Sequence, residues 1–171
     1  MASIPRALSR EDVQRLLAHC ERRTALGRRN WAILLLLARL GLRAGEVVGL
    51  AIEDLDWEAG ELCIRAGAAN ADRLPIPQDV GAALSDYLRH SRPACHCRRV
   101  FVRTRAPYRG FASSVAICCI VRRALERAGL NPALKGAHLL RHRSLQTTMI
   151  YLKVDLDLLR PLALPWPGGA R

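Results

Sequence analysis

The sequence predicts an α+β fold, mostly helical, with one small three-stranded antiparallel sheet. Three observations carry that prediction. Apolar residues recur at helical spacing in separate windows, first Val13, Leu16, Leu17 and Cys20, later Val80, Leu84, Tyr87 and Leu88. A nearly continuous apolar run, Trp31 to Ala38, is too short to cross a membrane and therefore belongs to a helix surrounded by protein. Between Ile52 and Pro77 the pattern changes to short apolar stretches separated by turn residues, as in a meander of strands.

Each element follows in order. Ser9-Arg-Glu-Asp12 has capping-box form, in which side chain and backbone satisfy each other at a helix start, so the first helix begins there. The second spans residues 30–40 and ends at Gly41, where glycine enters the left-handed conformation that closes a helix. A short helix from Ala44 to Leu50 comes next. Asp54-Leu55-Asp56-Trp57, Glu61-Leu62-Cys63-Ile64 and Arg73-Leu74-Pro75-Ile76 supply the three strands. A helix over 79–90 is ended by Pro93. Ser113 or Ser114 caps another that runs to Ala128 and stops at Gly129, with Asn131-Pro132 as a turn. Two more helical pieces, around Lys135 to His142 and Ser144 to Val154, precede a tail rich in proline and glycine. Residues 1–8 read as an N-terminal extension, 9–160 as one domain and 161–171 as the tail. A chain of 171 residues that is 50% hydrophobic carries enough apolar surface for a single core.

Lysine and arginine number 27 against 15 acidic residues, a net charge of +12, and the only lysines are Lys135 and Lys153. Such a surface favours a polyanionic partner. Basic residues are densest between Arg89 and Arg109, where Arg89, Arg92, Arg98, Arg99, Arg103, Arg105 and Arg109 lie. That stretch has two readings, a solvated loop or a set of phosphate contacts. The opening Met-Ala-Ser-Ile-Pro-Arg lacks a signal peptide's apolar core, which predicts a cytoplasmic protein with reduced cysteines and no membrane partner. Of the six cysteines, only Cys95-His96-Cys97 is clustered in a metal-like way. Its one-residue spacing has no second pair to complete four ligands, so no metal is expected. Those cysteines fit a loop ahead of a strand, and Cys118 and Cys119 fit a packed helix face as small apolar residues.

Three scattered segments and the meander between them form a recognisable set. Ala-Arg-Leu-Gly-Leu-Arg43-Ala-Gly-Glu-Val-Val-Gly-Leu resembles the first arginine box of the phage-integrase family of tyrosine site-specific recombinases. His138-Leu-Leu-Arg141-His142 resembles that family's His-x-x-Arg box, and Thr147-Thr148-Met-Ile-Tyr151 the segment bearing its nucleophilic tyrosine. With the three-stranded meander between them, the boxes agree in type and order over about residues 7 to 165. Taken singly each residue has an ordinary reading: Arg43 a surface arginine, His138 a satisfied histidine, Tyr151 a half-buried aromatic.

The resemblance implies a catalytic domain that cuts and rejoins double-stranded DNA through a 3′-phosphotyrosine, with no cofactor. It leaves room for self-association as a homo-oligomer on that DNA. Tyr151 would be the nucleophile and His138 its proton acceptor. Arg43 and Arg141 would hold the nonbridging phosphate oxygens in a bidentate grip, and His142 would stand for the second, phosphate-binding histidine. Arg65, Arg73, Arg99, Arg103, Arg105 and Arg109 are the expected DNA contacts.

The chain also departs from the family. The lysine that protonates the leaving 5′-oxygen belongs in the turn between the second and third strands, where Gly67 stands. Arg65 or Arg73 would substitute only poorly, since a guanidinium scarcely releases its proton at neutral pH. His142 lies nine residues before Tyr151, the spacing of the second histidine box, yet directly follows the arginine of the first. Two boxes are thus collapsed onto one Leu-Arg-His, as an internal deletion of about twenty residues, or five to six helical turns, would leave them. On one helix His142 is turned about 100° from Arg141 and cannot converge with it on one phosphate. The chain also opens at the catalytic domain's first helix, without the helical domain that clamps DNA in the family. Impaired catalysis is the expectation, against three rivals: an active minimal recombinase, a non-catalytic DNA-binding or assembly-modulating remnant, and a zinc module on Cys95 to Cys97.

Overall fold

A computed structural model describes residues 8–65 and 71–131 of the chain. Helix α1 (Arg10–Ala18) starts where the Ser9 hydroxyl accepts the Asp12 amide at 3.1 Å and the Asp12 carboxylate accepts the Ser9 amide at 3.3 Å. This is the reciprocal box read from the sequence. Leu16 and Leu17 face inward from it.

Helix α2 (Ala25–Arg39) begins five residues earlier than its apolar run suggests, because the Thr24 hydroxyl accepts the Gly27 amide at 3.0 Å and caps the extra turn. Its consecutive residues Ala32 to Leu37 are each 0–1% exposed, since α1 and the three later helices pack around it. Each buried leucine or isoleucine there contributes roughly 1.5–3 kcal/mol. Gly41, at φ 65°, ends the helix as predicted.

Helix α3 (Ala44–Gly49) leads through a 3-10 turn over Ile52–Asp54 into the sheet. Asp54 is buried there, and its carboxylate accepts the Ala51 amide at 2.8 Å. Strands β1 (Leu55–Asp56), β2 (Glu61–Arg65) and β3 (Ala71–Pro75) form the predicted antiparallel meander in the order β1-β2-β3. Leu55 pairs with Leu62, and Leu62 with Leu74, so β2 turns Leu62 and Ile64 to the core at the two-residue period of a strand.

Helix α4 (Gln78–His90) runs antiparallel to α2, pinned by Arg28–Asp86 at 3.0 Å near one end and Arg39–Asp79 at 2.8 Å near the other. Both pairs are largely exposed and add little energy, but they fix the register. Helix α5 (Val115–Arg127) closes the described domain, with Gly129 at φ 66° as its stop.

Three further details differ from the sequence reading. Ser114 stands at the start of α5 but in helical conformation (φ −62°, ψ −17°), so its hydroxyl caps nothing. Cys118 is exposed rather than packed, because the buried stripe of α5 falls on Ile117, Ile120, Val121, Ala124 and Leu125. The loop bearing Cys95 and Cys97 leads into isolated bridges, Ala51 with Arg99 and Val102 with Gly110, in place of a regular strand. The predicted helices around Lys135 to His142 and Ser144 to Val154, and the tail, lie outside the described residues, as does the extension before Leu8.

Candidate functional site

Arg43 is placed by the end of α2. The left-handed Gly41 turns the chain, Leu42 is buried and anchors it, and Arg43 follows as the residue preceding α3. Its side chain is 61% exposed. Glu46, one turn on, accepts the Arg43 amide at 2.5 Å and holds a carboxylate oxygen 3.9 Å from Nε. The guanidinium is therefore held loosely on one edge, with its other donors open to an anion. Sequence reading passed over Glu46. The available signal was its position three residues after Arg43, where a glutamate reaches back to a helix's first amide.

The far end of α3 is tied to the arginine-rich segment. Arg99 donates to the Gly49 carbonyl, the Val100 amide to Leu50 at 2.9 Å, and the Ile52 amide to the Arg98 carbonyl at 2.9 Å, while Arg98 pairs with Glu53. Arg92 reaches back to the carbonyls of Cys97, Arg99 (3.0 Å) and Val100 (3.2 Å). Arg92, Arg98 and Arg99 serve the loop's own architecture, and the helix carrying Arg43 is bonded to it.

Beyond them the chain forms a tongue. Val102 bridges Gly110, and the Arg103 amide donates to the Arg109 carbonyl at 2.9 Å. Arg103, Arg105, Tyr108 and Arg109 are exposed on it. The guanidiniums of Arg103, Arg105 and Arg109 have no ion-pair partner among the described residues, so three positive charges stand ready for an external anion.

Arg73 is placed differently. On β3 it donates to Glu61 at 3.1 Å and lies 3.8 Å from Asp56. The hydrogen bond that it gives to Glu61 raises the guanidinium pKa further above its already high value, which makes Arg73 a still poorer proton donor. Arg65 ends β2 opposite Ala71, where β2 and β3 last pair. Gly67, His138, Arg141, His142 and Tyr151 lie outside the described residues, as does the side chain of Arg65. Among the described residues no three His, Cys, Asp or Glu side chains cluster to hold a metal ion, and no helix is long and apolar enough to cross a membrane.

Comparison with known proteins gives a consistent result. Residues 6–162 match the Phage integrase family. The protein named "Putative integrase/recombinase y4rA" of Sinorhizobium fredii is 47% identical over 193 aligned positions, covering 100% of this chain and 47% of that protein. Tyrosine recombinase XerA of Pyrococcus furiosus is 30% identical, over 94% of this chain and 53% of its own. The chain thus spans about half the length of these relatives. Because it has 171 residues, at least 22 of the 193 positions aligned with y4rA have no counterpart here. Among solved structures, a XerA recombinase superposes with a TM-score of 0.68 at 23% identity, over 94% of this chain and 63% of that one. The XerH site-specific recombinase in a post-cleavage complex with a palindromic difH substrate gives 0.69 at 19%, over 94% and 50%. A buried helix ending in glycine, an exposed arginine just beyond it, a three-stranded meander and a family match over nearly the whole chain lead to one assignment: this chain belongs to the phage integrase family and has the fold of a tyrosine recombinase catalytic domain.

Proposed function

We propose that this chain binds double-stranded DNA as a tyrosine recombinase catalytic domain whose strand-cleavage step is impaired. The observation that carries the reading is Arg43: an exposed guanidinium beside Glu46, on a helix bonded to the base of a basic tongue. That arrangement suits a phosphate diester, whose nonbridging oxygens accept a planar arginine fork.

In the reaction the family implies, Tyr151 Oη attacks phosphorus as its proton passes to His138. A bond from Oη to phosphorus forms, the bond from phosphorus to the 5′-oxygen breaks, and that oxygen takes up a proton. The phosphoryl bond is conserved, so the reverse attack by another 5′-hydroxyl rejoins strands without a cofactor. Arg43 and Arg141 would stabilise the charge that builds on the nonbridging oxygens, with His142 as a further phosphate contact. Arg103, Arg105 and Arg109 are the proposed DNA contacts. Arg65, Arg73 and Arg99 take a lesser part, because Arg73 and Arg99 already serve Glu61 and Gly49.

Two features argue for impairment. Gly67 supplies no acid for the leaving oxygen, and general acid catalysis is typically worth about 10² to 10⁴ in rate. The 22 or more unmatched positions also agree in size with the segment inferred to be missing between the two histidine boxes. The same features favour, as a second reading, a remnant that occupies recombination sites without cutting. Two copies would sit equivalently on a two-fold DNA sequence, such as the palindromic substrate of the XerH complex.

The test is incubation with duplex carrying a nick beside the scissile phosphate, followed by a denaturing gel, with Tyr151→Phe as control. The expected result is salt-sensitive DNA binding without a covalent adduct. An adduct that Tyr151→Phe abolishes would overturn the impairment. Absent or salt-independent binding would overturn the DNA-binding assignment.

A further inference from the structure

Arg29 lies within α2, outside both arginine boxes of the sequence, and is only 6% exposed. A buried cation is costly unless something compensates its lost hydration. Here the compensation comes from neutral groups. Nη1 donates to the Val102 carbonyl at 3.0 Å, Nε and Nη2 to the Asn30 side-chain oxygen at 3.3 and 3.1 Å, and the guanidinium lies over the Phe111 ring at 5.0 Å. Burial lowers its pKa from the ordinary value, against the influence of Tyr87. A leucine or methionine would fill such a site without that cost, so the charge serves a purpose other than filling space.

Its contacts define the purpose. Val102 is the first residue of the tongue and Phe111 follows its last, Gly110. Arg29 therefore grips both sides of the root. Tyr87, fully buried and stacked on Phe101 at 5.5 Å, holds Val102 from the other direction by accepting its amide at 3.4 Å. On the remaining side Gly110 sits so close to Arg99 that a Cβ there would come within 2.8 Å of Arg99 Cγ. The root is fixed from three sides, while the tip presents Arg103, Arg105, Arg109 and Tyr108 to solvent.

We infer that Arg29 is a positioning residue for DNA binding: through Val102 and Phe111 it sets the tongue in one orientation, so that the tip meets a DNA backbone already ordered. Ordering an arginine-bearing loop at the moment of binding would subtract from affinity, and a loop fixed beforehand avoids that loss. The inference rests on the DNA-binding reading above and adds to it a residue that touches no DNA.

The experiment measures duplex affinity of the full chain by fluorescence anisotropy across a salt series. It compares Arg29→Met, Arg29→Lys, the triple variant Arg103→Ala, Arg105→Ala, Arg109→Ala, and the triple variant combined with Arg29→Met, with thermal melts reporting folding. The triple variant is expected to lower the salt slope by about 2–3, about one for each phosphate contact removed. Arg29→Met is expected to weaken binding by about tenfold in the parent chain and to change nothing in the triple background, because its effect passes through the tongue. Arg29→Lys, which keeps a donor for Val102 but loses the planar face on Phe111, should fall between. If Arg29→Met fails to melt cooperatively, Phe111→Leu takes its place with the same expectation. The inference is overturned if the position-29 or Phe111 variant binds as the parent does, if its loss persists in the triple background, or if the triple variant keeps the parent's slope. A parent chain that binds no duplex overturns the DNA-binding reading itself and this inference with it.

Discussion

Cys20 and Cys118 show how far single residues could be read. Cys20 completed the apolar spacing read for the first helix, but α1 ends at Ala18 and Cys20 lies just past it, half-buried, with its thiol donating to the Leu16 carbonyl at 3.3 Å. Burial pushes its pKa up to about 11, against the opposing pull of Arg127 and Arg22. Cys118 was placed with the packed residues of its helix and instead faces solvent. Since the thiolate is the reactive form, iodoacetamide at pH 8 should label Cys118 well before Cys20, whose rate should climb only as pH approaches 11. Peptide mapping of a labelling time course checks the order, and early labelling of Cys20 would show that α1 is not seated as described. Gly27 was equally opaque. It lies before the helix start read from the sequence, and a Cβ there would come within 2.4 Å of Glu21, a contact made through the fold of a turn and invisible to periodicity.

At the scale of elements, Ser9 and Ser114 looked alike in sequence, each a serine ahead of a helical pattern. Only Ser9 has the extended backbone (φ −67°, ψ 164°) that lets a hydroxyl turn back onto the helix. Ser9→Ala should therefore cost about 1 kcal/mol of stability and Ser114→Ala less than about 0.5 kcal/mol. Denaturant titrations of the two variants give the comparison, and equal losses would mean that Ser114 caps after all. Helix stops were legible because glycine alone fits them without strain: Gly41 and Gly129 both adopt positive φ. The meander was legible from its turns, although the two-residue length of β1 was not, since that depends on where pairing with β2 ends. The extra turns of α2 were missed because a threonine cap and two arginines hide in a polar stretch.

For the molecule as a whole, the fold class followed from apolar content and spacing, but the mutual placement of elements did not. Nothing local in Arg28 or Arg39 announces Asp86 or Asp79 as a partner, and the antiparallel seating of α2 on α4 is a property of the assembled chain. The candidate site was legible by resemblance at Arg43, and illegible where arginines divide between architecture and exposed charge. The proposed impairment belongs to this scale too. If it holds, inserting a helical segment of about twenty residues between Arg141 and His142, with Gly67→Lys, should restore a covalent adduct on nicked duplex that Tyr151→Phe removes. No adduct from that chain would show that more than the two proposed defects separates it from cleavage. Val102, finally, has a bearing on the order of assembly. Its amide and carbonyl are satisfied by side chains from positions 87 and 29, so the two groups are not both partnered until α4 and α2 have each met the tongue's root. Contacts of such separation form late, after the entropy of closing the intervening loops has been overcome. The tongue should be the last part of the domain to set, and a chain caught midway through folding would carry its full positive charge without yet holding it in the exposed array that Arg103, Arg105 and Arg109 form.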